Sequence, residues 1–125
     1  WGIDNRTTGF RVPHSNADST RIENRIPGSD TNPYLAIAAS LACGYLGIQE
    51  GLRPSEPIAE SAWDLEHSLP RSLRESLDLL LQCEPIIDLF GERFVSVFVD
   101  LKLRELGAYS STVTAWEREH LLLKV

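Results

Sequence analysis

Methionine is absent from the 125 residues, so the chain opens Trp1-Gly-Ile-Asp-Asn-Arg without an initiator. It is therefore expected to continue a polypeptide that begins far upstream. Cysteine is scarce. Of the two, Cys43 lies in an apolar run and Cys83 follows a leucine cluster, which is neither metal-ligand spacing nor a disulfide framework. Both are expected to be reduced core residues. No apolar run approaches the roughly 18 to 20 residues that cross a bilayer, and no basic-then-apolar leader opens the chain. The expectation is a cytoplasmic protein with no membrane partner. An excess of positive charge is also missing: 12 Lys+Arg stand against 18 Asp+Glu, for a net charge of -6. A nucleic acid would have to be drawn in against that field, so no nucleic-acid partner is expected. What remains, 42% hydrophobic and 24% charged residues, is ordinary for a globular chain with one packed core.

Polar and turn-forming residues dominate positions 1–31, whereas 32–125 carry apolar residues at helical spacing. Thr8 to Val12 and Arg21 to Ile26 read as two short extended runs joined by Pro13-His-Ser-Asn-Ala-Asp-Ser, which predicts a β-hairpin. Asp30-Thr-Asn supplies capping side chains, Pro33 suits the first helical position, and Leu35, Ala38, Ala39, Ala42 and Leu46 form one stripe. That helix should end near Gly47 to Gly51. Its alanines and Gly44 allow a close neighbour, so it is expected to be the most buried helix.

Pro54, Pro57 and Pro70 mark residues 52–70 as a long surface connection. Ser72 and Glu75 match a capping box ahead of Leu73, Leu77, Leu80 and Leu81, and Pro85 starts a short helix to about Phe90. Phe94, Val97, Phe98 and Leu101 recur at helical rather than strand spacing, with Gly107 as a C-terminal stop. Thr114 to Glu117 is a second capping box, leading a last helix that includes Trp116 and Leu121 to Leu123. The fold class is thus α+β: a short hairpin followed by four to five helices.

Arg6, Arg11, Arg21, Glu23 and Arg25 crowd into the first 25 residues. In an extended run side chains alternate, so Arg21, Glu23 and Arg25 share one face as a positive-negative-positive row. On its own that row is a solvated strand face with Glu23 bridging two arginines, and such exposed pairs are weak. With Arg6 and Arg11 on the partner strand, about 5 Å away, four guanidinium forks could instead surround one anionic ligand.

Asn5-Arg-Thr-Thr-Gly-Phe-Arg-Val-Pro13, then Arg21-Ile-Glu-Asn-Arg25, then Asn32-Pro-Tyr-Leu-Ala-Ile-Ala-Ala resemble, in that order, the C-terminal signature of glutamine synthetases. The likeness is strongest over residues 1–51. Beyond them it is one of pattern, in Pro70-Arg-Ser-Leu, Leu89-Phe-Gly-Glu-Arg-Phe and Trp116-Glu-Arg. The resemblance implies part of the family's catalytic α/β domain, with 1–31 as a strand pair bearing active-site arginines and 32–125 as helical support. It also implies ATP with Mg²⁺ or Mn²⁺, and a γ-glutamyl amide made from glutamate and an amine through γ-glutamyl phosphate.

By position the resemblance makes Glu23 a metal ligand and Arg25 the arginine on the substrate carboxylate. Arg6 would face the transferred phosphoryl group, and Arg11 and Arg21 the nucleotide phosphates. Glu23 alone cannot hold a cation that takes about six oxygens, so further carboxylates are expected upstream of Trp1. Ordinary glutamine synthetases usually carry small residues such as Ser-Ala after the first arginine. Asn5-Arg-Thr-Thr-Gly-Phe-Arg11 and Glu23-Asn-Arg25 here look like the γ-glutamylpolyamine (γ-glutamylputrescine) synthetase branch, where an amine such as putrescine replaces ammonia. The family's rings imply a homo-oligomer for the complete protein, and the 125 residues alone are expected to be inactive.

His14, His67 and His120 are too dispersed for a metal motif and read as surface or structural. Trp63 and Trp116 read as packing residues, and Glu117-Arg-Glu as a solvated helix face. The alternative function is a non-catalytic helical interaction module that keeps the motif as a structural strand pair. A general anion-binding domain is a third.

Overall fold

The computed structural model describes residues 1–66 and 69–122. They divide into two compact units, Trp1–Ser68 and Leu69–Val125, so the first long helix groups with the strands.

In the first unit, β1 (Gly2–Ile3), β2 (Phe10–Val12) and β3 (Glu23–Asn24) form a three-stranded sheet in that order. The expected hairpin is present as the antiparallel β2–β3 pair, with Phe10 opposite Asn24 and Arg11 opposite Glu23. The connection is not a bare turn. Asn16 caps a single 3₁₀ turn over Ala17–Ser19 by accepting from the Ser19 amide at 3.1 Å. Unforeseen is β1, which runs parallel to β2 with Gly2 opposite Arg11 and Ile3 opposite Val12. A two-residue strand has no period to detect.

The connection after residue 51 has no regular structure, as its prolines dictate, yet it is tied down. Ile58 N–H donates to the Trp1 carbonyl at 2.8 Å, the Trp1 indole donates to the Ser55 carbonyl at 2.8 Å, and Ala62 N–H donates to Thr7 Oγ1 at 2.8 Å. Gly2 is needed at this seam. A Cβ there would stand 2.6 Å from the Ile58 carbonyl oxygen and 2.7 Å from the Asn5 Cβ.

Asn32 caps α1 (Pro33–Gln49), accepting from the Tyr34 and Leu35 amides, and Gly51 at φ +65° closes it as the sequence predicts. The burial expectation is overturned: only Ala42 is buried, while Tyr34 and Ile48 are 82% and 83% exposed. Cys43 is likewise an exposed free thiol rather than a core residue, and Cys83 is half-buried. The sequence suits close packing on every side, but no other described element of its own unit covers the helix. Its tie to the sheet is polar, through Asn24 Nδ2 donating to Ser40 Oγ at 2.9 Å.

The second unit packs α2 (Leu73–Gln82), α3 (Glu84–Phe90) and α4 (Glu92–Ser110) around Leu77, Val95 and Val99, with Leu80, Ile87, Phe90, Phe98 and Leu103 against them. Ser72 caps α2 as expected, but Glu75 reaches back to the Arg71 amide rather than to Ser72, so the box is half-formed. The apolar face of α4 differs from the expected one: Phe94, Val97 and Leu101 are exposed, and Val95 and Val99 are buried. Both sets have helical spacing on a helix that is apolar on two faces, so spacing cannot choose between them. The outer Phe94 ring stacks between Phe90 and Phe98, with centroids 5.9 and 6.4 Å apart.

Gly107 does not stop α4, which continues to Ser110. One interior glycine costs a helix only about 1 kcal/mol relative to alanine, and Gly107 keeps helical backbone. The Thr114/Glu117 box opens α5 (Ala115–His120) as predicted, but the helix stops short of Leu121, and Leu123 lies outside the described residues. Trp63 and Trp116 are 69% and 60% exposed rather than packed, and Trp116 stacks on His120 at 4.7 Å. His14 and His120 are exposed and His67 lies outside the described residues.

Candidate functional site

Antiparallel pairing sets Arg11 directly opposite Glu23, and the alternation of each strand puts both side chains on one face of the sheet. Arg11 Nη1 donates to Glu23 Oε2 at 2.7 Å. Arg21, just before β3, reaches the other oxygen of the same carboxylate, Nη2 to Oε1 at 3.3 Å. Glu23 therefore bridges two arginines, but they are Arg21 and the cross-strand Arg11, not Arg21 and Arg25. Arg6 sits in the turn after Asn5 rather than on a strand, and Arg25 follows β3 with its amide donating to the Gly9 carbonyl at 2.8 Å. Both side chains are exposed, and neither makes a side-chain hydrogen bond or ion pair among the described residues.

Asp4 joins the cluster although no periodicity points to it. Its amide donates to the Val12 carbonyl at 2.8 Å, continuing the β1–β2 pairing, and its backbone turns through φ +49°. Its carboxylate then meets Arg11 Nη2. One guanidinium thus carries two carboxylates. The Arg11 side chain is 15% exposed, and its Nε is buried without a hydrogen-bond partner among the described residues.

The electrostatics follow this geometry. The hydrogen bond from Arg11 holds both the Glu23 and Asp4 carboxyls below the usual carboxylate range, and those bonds, Glu23's first, raise Arg11 above its own. Asn5 was also missed as a positioning residue. Its Nδ2 donates to the carbonyls of Ile58 and Glu60 at 2.9 and 2.8 Å, while its Oδ1 accepts from the Thr7 amide and hydroxyl. The turn that displays Arg6 is thereby pinned. Thr8, which is buried, adds a hydroxyl 3.0 and 2.8 Å from the Asn5 and Phe10 carbonyls.

A family model described as glutamine synthetase, catalytic domain, matches residues 1–121. The chain belongs to the glutamine synthetase catalytic-domain family. It is 40% identical over 121 residues to a glutamate–isopropylamine ligase of Pseudomonas sp, covering 94% of this chain and 26% of that protein. To a γ-glutamylethanolamide synthetase of Streptomyces coelicolor it is 40% identical over 119 residues, covering 94% of this chain and 25% of the relative. To the glutamine synthetase of Thermotoga maritima the figures are 34% over 131 residues, 98% and 30%. The chain thus spans about a quarter of the length of these relatives.

The chemistry of Glu23 would suit a divalent cation: its carboxyl is held below the usual carboxylate range, each oxygen is engaged by one arginine, and lone pairs are left over. The remaining ligands are not here: no group of three His, Cys, Asp or Glu able to hold a metal occurs among the described residues. For a phosphate, the Arg11 fork is already filled, whereas Arg21, with its side chain 57% exposed, keeps donors accessible. No described helix is long and apolar enough to cross a membrane.

Proposed function

We propose that these residues form the arginine-rich wall and helical support of an ATP-dependent carboxylate–amine ligase, which joins glutamate to an amine through γ-glutamyl phosphate. The single observation carrying the reading is the Arg11–Glu23–Arg21 cluster set by the β2–β3 register. Bringing ATP to a carboxylate places two anions together, and fixed cations offset the repulsion and the charge that develops. In this reading Arg21 and Arg11 face the nucleotide phosphates, Arg6 the transferred phosphoryl group, and Arg25 the glutamate carboxylate.

Glu23 supplies one ligand for Mg²⁺ or Mn²⁺, whose chemistry when bound is to offset charge on the phosphate oxygens. The other ligands come from chain that the relatives possess and these 125 residues do not cover, so the 125 residues alone are inactive; the resemblance to the family's rings supports a homo-oligomer for the complete protein. Two of the relatives' names, one with isopropylamine and one with a γ-glutamylethanolamide, support an amine larger than ammonia. A polyamine such as putrescine fits that class.

The experiment is a product assay on the complete protein with glutamate, ATP and Mg²⁺ and a panel of ammonia, isopropylamine, ethanolamine and putrescine. ATP-dependent γ-glutamyl amide with at least one amine is expected; no product with any of them, from protein shown to be folded, overturns the reading. A non-catalytic interaction module is favoured by the apolar exposure of Ile37, Leu41 and Ile48 on α1. Metal-dependent turnover of the complete protein that survives Glu23→Ala unchanged would mean that these residues take no part in the chemistry, and would decide for that module.

A further inference from the structure

One residue decides whether the charge around Glu23 is balanced. Arg11 and Arg21 both hold the Glu23 carboxylate, and these three groups alone sum to one positive charge. A divalent cation approaching Glu23 would meet that excess at close range. Asp4 removes it, because its carboxylate takes the second terminal nitrogen of Arg11 and brings the four-group sum to zero. Asp4 is also fixed in place, by the hydrogen bond its amide donates to the Val12 carbonyl and by its turn at φ +49°. It lies outside the arginine-and-glutamate pattern of the family signature.

We propose that Asp4 is a positioning residue of the ligase site: by holding and neutralising Arg11 through the terminal nitrogen that Glu23 does not take, it keeps the cluster receptive to a divalent cation and withholds Arg11 from anions until they displace Asp4. The inference rests on the ligase reading above and adds a residue to it. Two consequences of opposite sign follow. Without the Asp4 charge, cation affinity at Glu23 falls, and the freed Arg11 fork binds phosphate oxygens more tightly.

The test measures Mn²⁺ binding without nucleotide, and inorganic pyrophosphate binding without metal, by calorimetry on the complete protein. Asp4→Asn keeps shape and suits a positive φ, and Asp4→Gly removes the carboxylate while suiting that backbone equally well, so either serves if the other fails to fold. Mn²⁺ affinity is expected to fall about tenfold, in the range that loss of an outer partner of a metal ligand costs, while pyrophosphate binds more tightly than to wild type. Asp4→Glu, which retains the charge, is expected to restore both toward wild type.

A merely structural role would weaken both ligands together and lower the melting temperature, and that result overturns the proposal. So does unchanged affinity for both. If wild type forms product and Asp4→Asn matches it in both affinities, only the role of Asp4 falls. If wild type binds no Mn²⁺ and forms no product, the ligase reading falls and takes this one with it.

Discussion

Arg11 and Glu23 are partners twice over: their Cα positions oppose each other in the antiparallel register, and their side chains close the same pair with a 2.7 Å bond. Backbone pairing and charge pairing thus specify one alignment. A shift of β3 by one residue would turn Glu23 to the other face and break both at once. The site's geometry is a consequence of strand register, and the neighbouring strand β1, which leads into Asp4, is held in turn by the seam at Gly2.

That seam predicts the outcome of Gly2→Ala. A methyl group 2.6 Å from the Ile58 carbonyl oxygen meets backbone on one side and the Asn5 Cβ on the other, so neither neighbour can yield cheaply. Chemical denaturation of the variant should show a loss of about 1–3 kcal/mol. A loss within experimental error would mean that the 52–66 connection is not held against β1.

A contrast within α2 tests the second unit. Leu77 is 3% exposed at the centre of the cluster, whereas Leu73, on the same predicted stripe, is 40% exposed. Leu77→Ala should cost about 2–5 kcal/mol and Leu73→Ala clearly less. Equal losses in thermal unfolding would place the core elsewhere.

The pattern of success in the sequence reading has a physical cause. Caps were legible, because Asn32, Ser72 and Thr114 announce helix starts through chemistry that acts within three residues. The β2–β3 pair was legible for the same local reason. Facing was not: α4 offers Phe94 and Val95 with equal spacing, and α1 is apolar all round, so only a packing partner decides which side is covered. Arg6, Arg11, Arg21, Glu23 and Arg25 were found by type and order, but their pairing was not, since Arg11 reaches Glu23 across strands and Asp4 reaches Arg11 from just past a two-residue strand that leaves no periodic trace.

The α5 cap carries a pH dependence with a definite sign. Hydrogen bonds from the Thr114 amide, then its hydroxyl, hold the Glu117 carboxyl below its ordinary value of 4.5. A folded-state value lower than the unfolded one contributes stability that is present above the ordinary value and lost as pH falls through the depressed one. Side-chain NMR of Glu117 should therefore titrate below 4.5, with α5 amides losing protection over the same range. Thr114→Ala, which removes the reciprocal acceptor, should destabilise the helix by about 1 kcal/mol. A Glu117 midpoint at or above the ordinary value would contradict the capping account.

The most direct measurement is the dependence of ATP-driven γ-glutamyl amide formation on Mg²⁺ concentration in the complete protein, comparing wild type with Glu23→Gln. This change keeps the size of the side chain and removes the charge that Arg11 and Arg21 hold in place. The account predicts that turnover falls by more than the roughly 10- to 100-fold that even an outer partner of a metal ligand costs, and that the Mg²⁺ requirement rises. Wild-type turnover with an unaltered Mg²⁺ dependence in Glu23→Gln would contradict it.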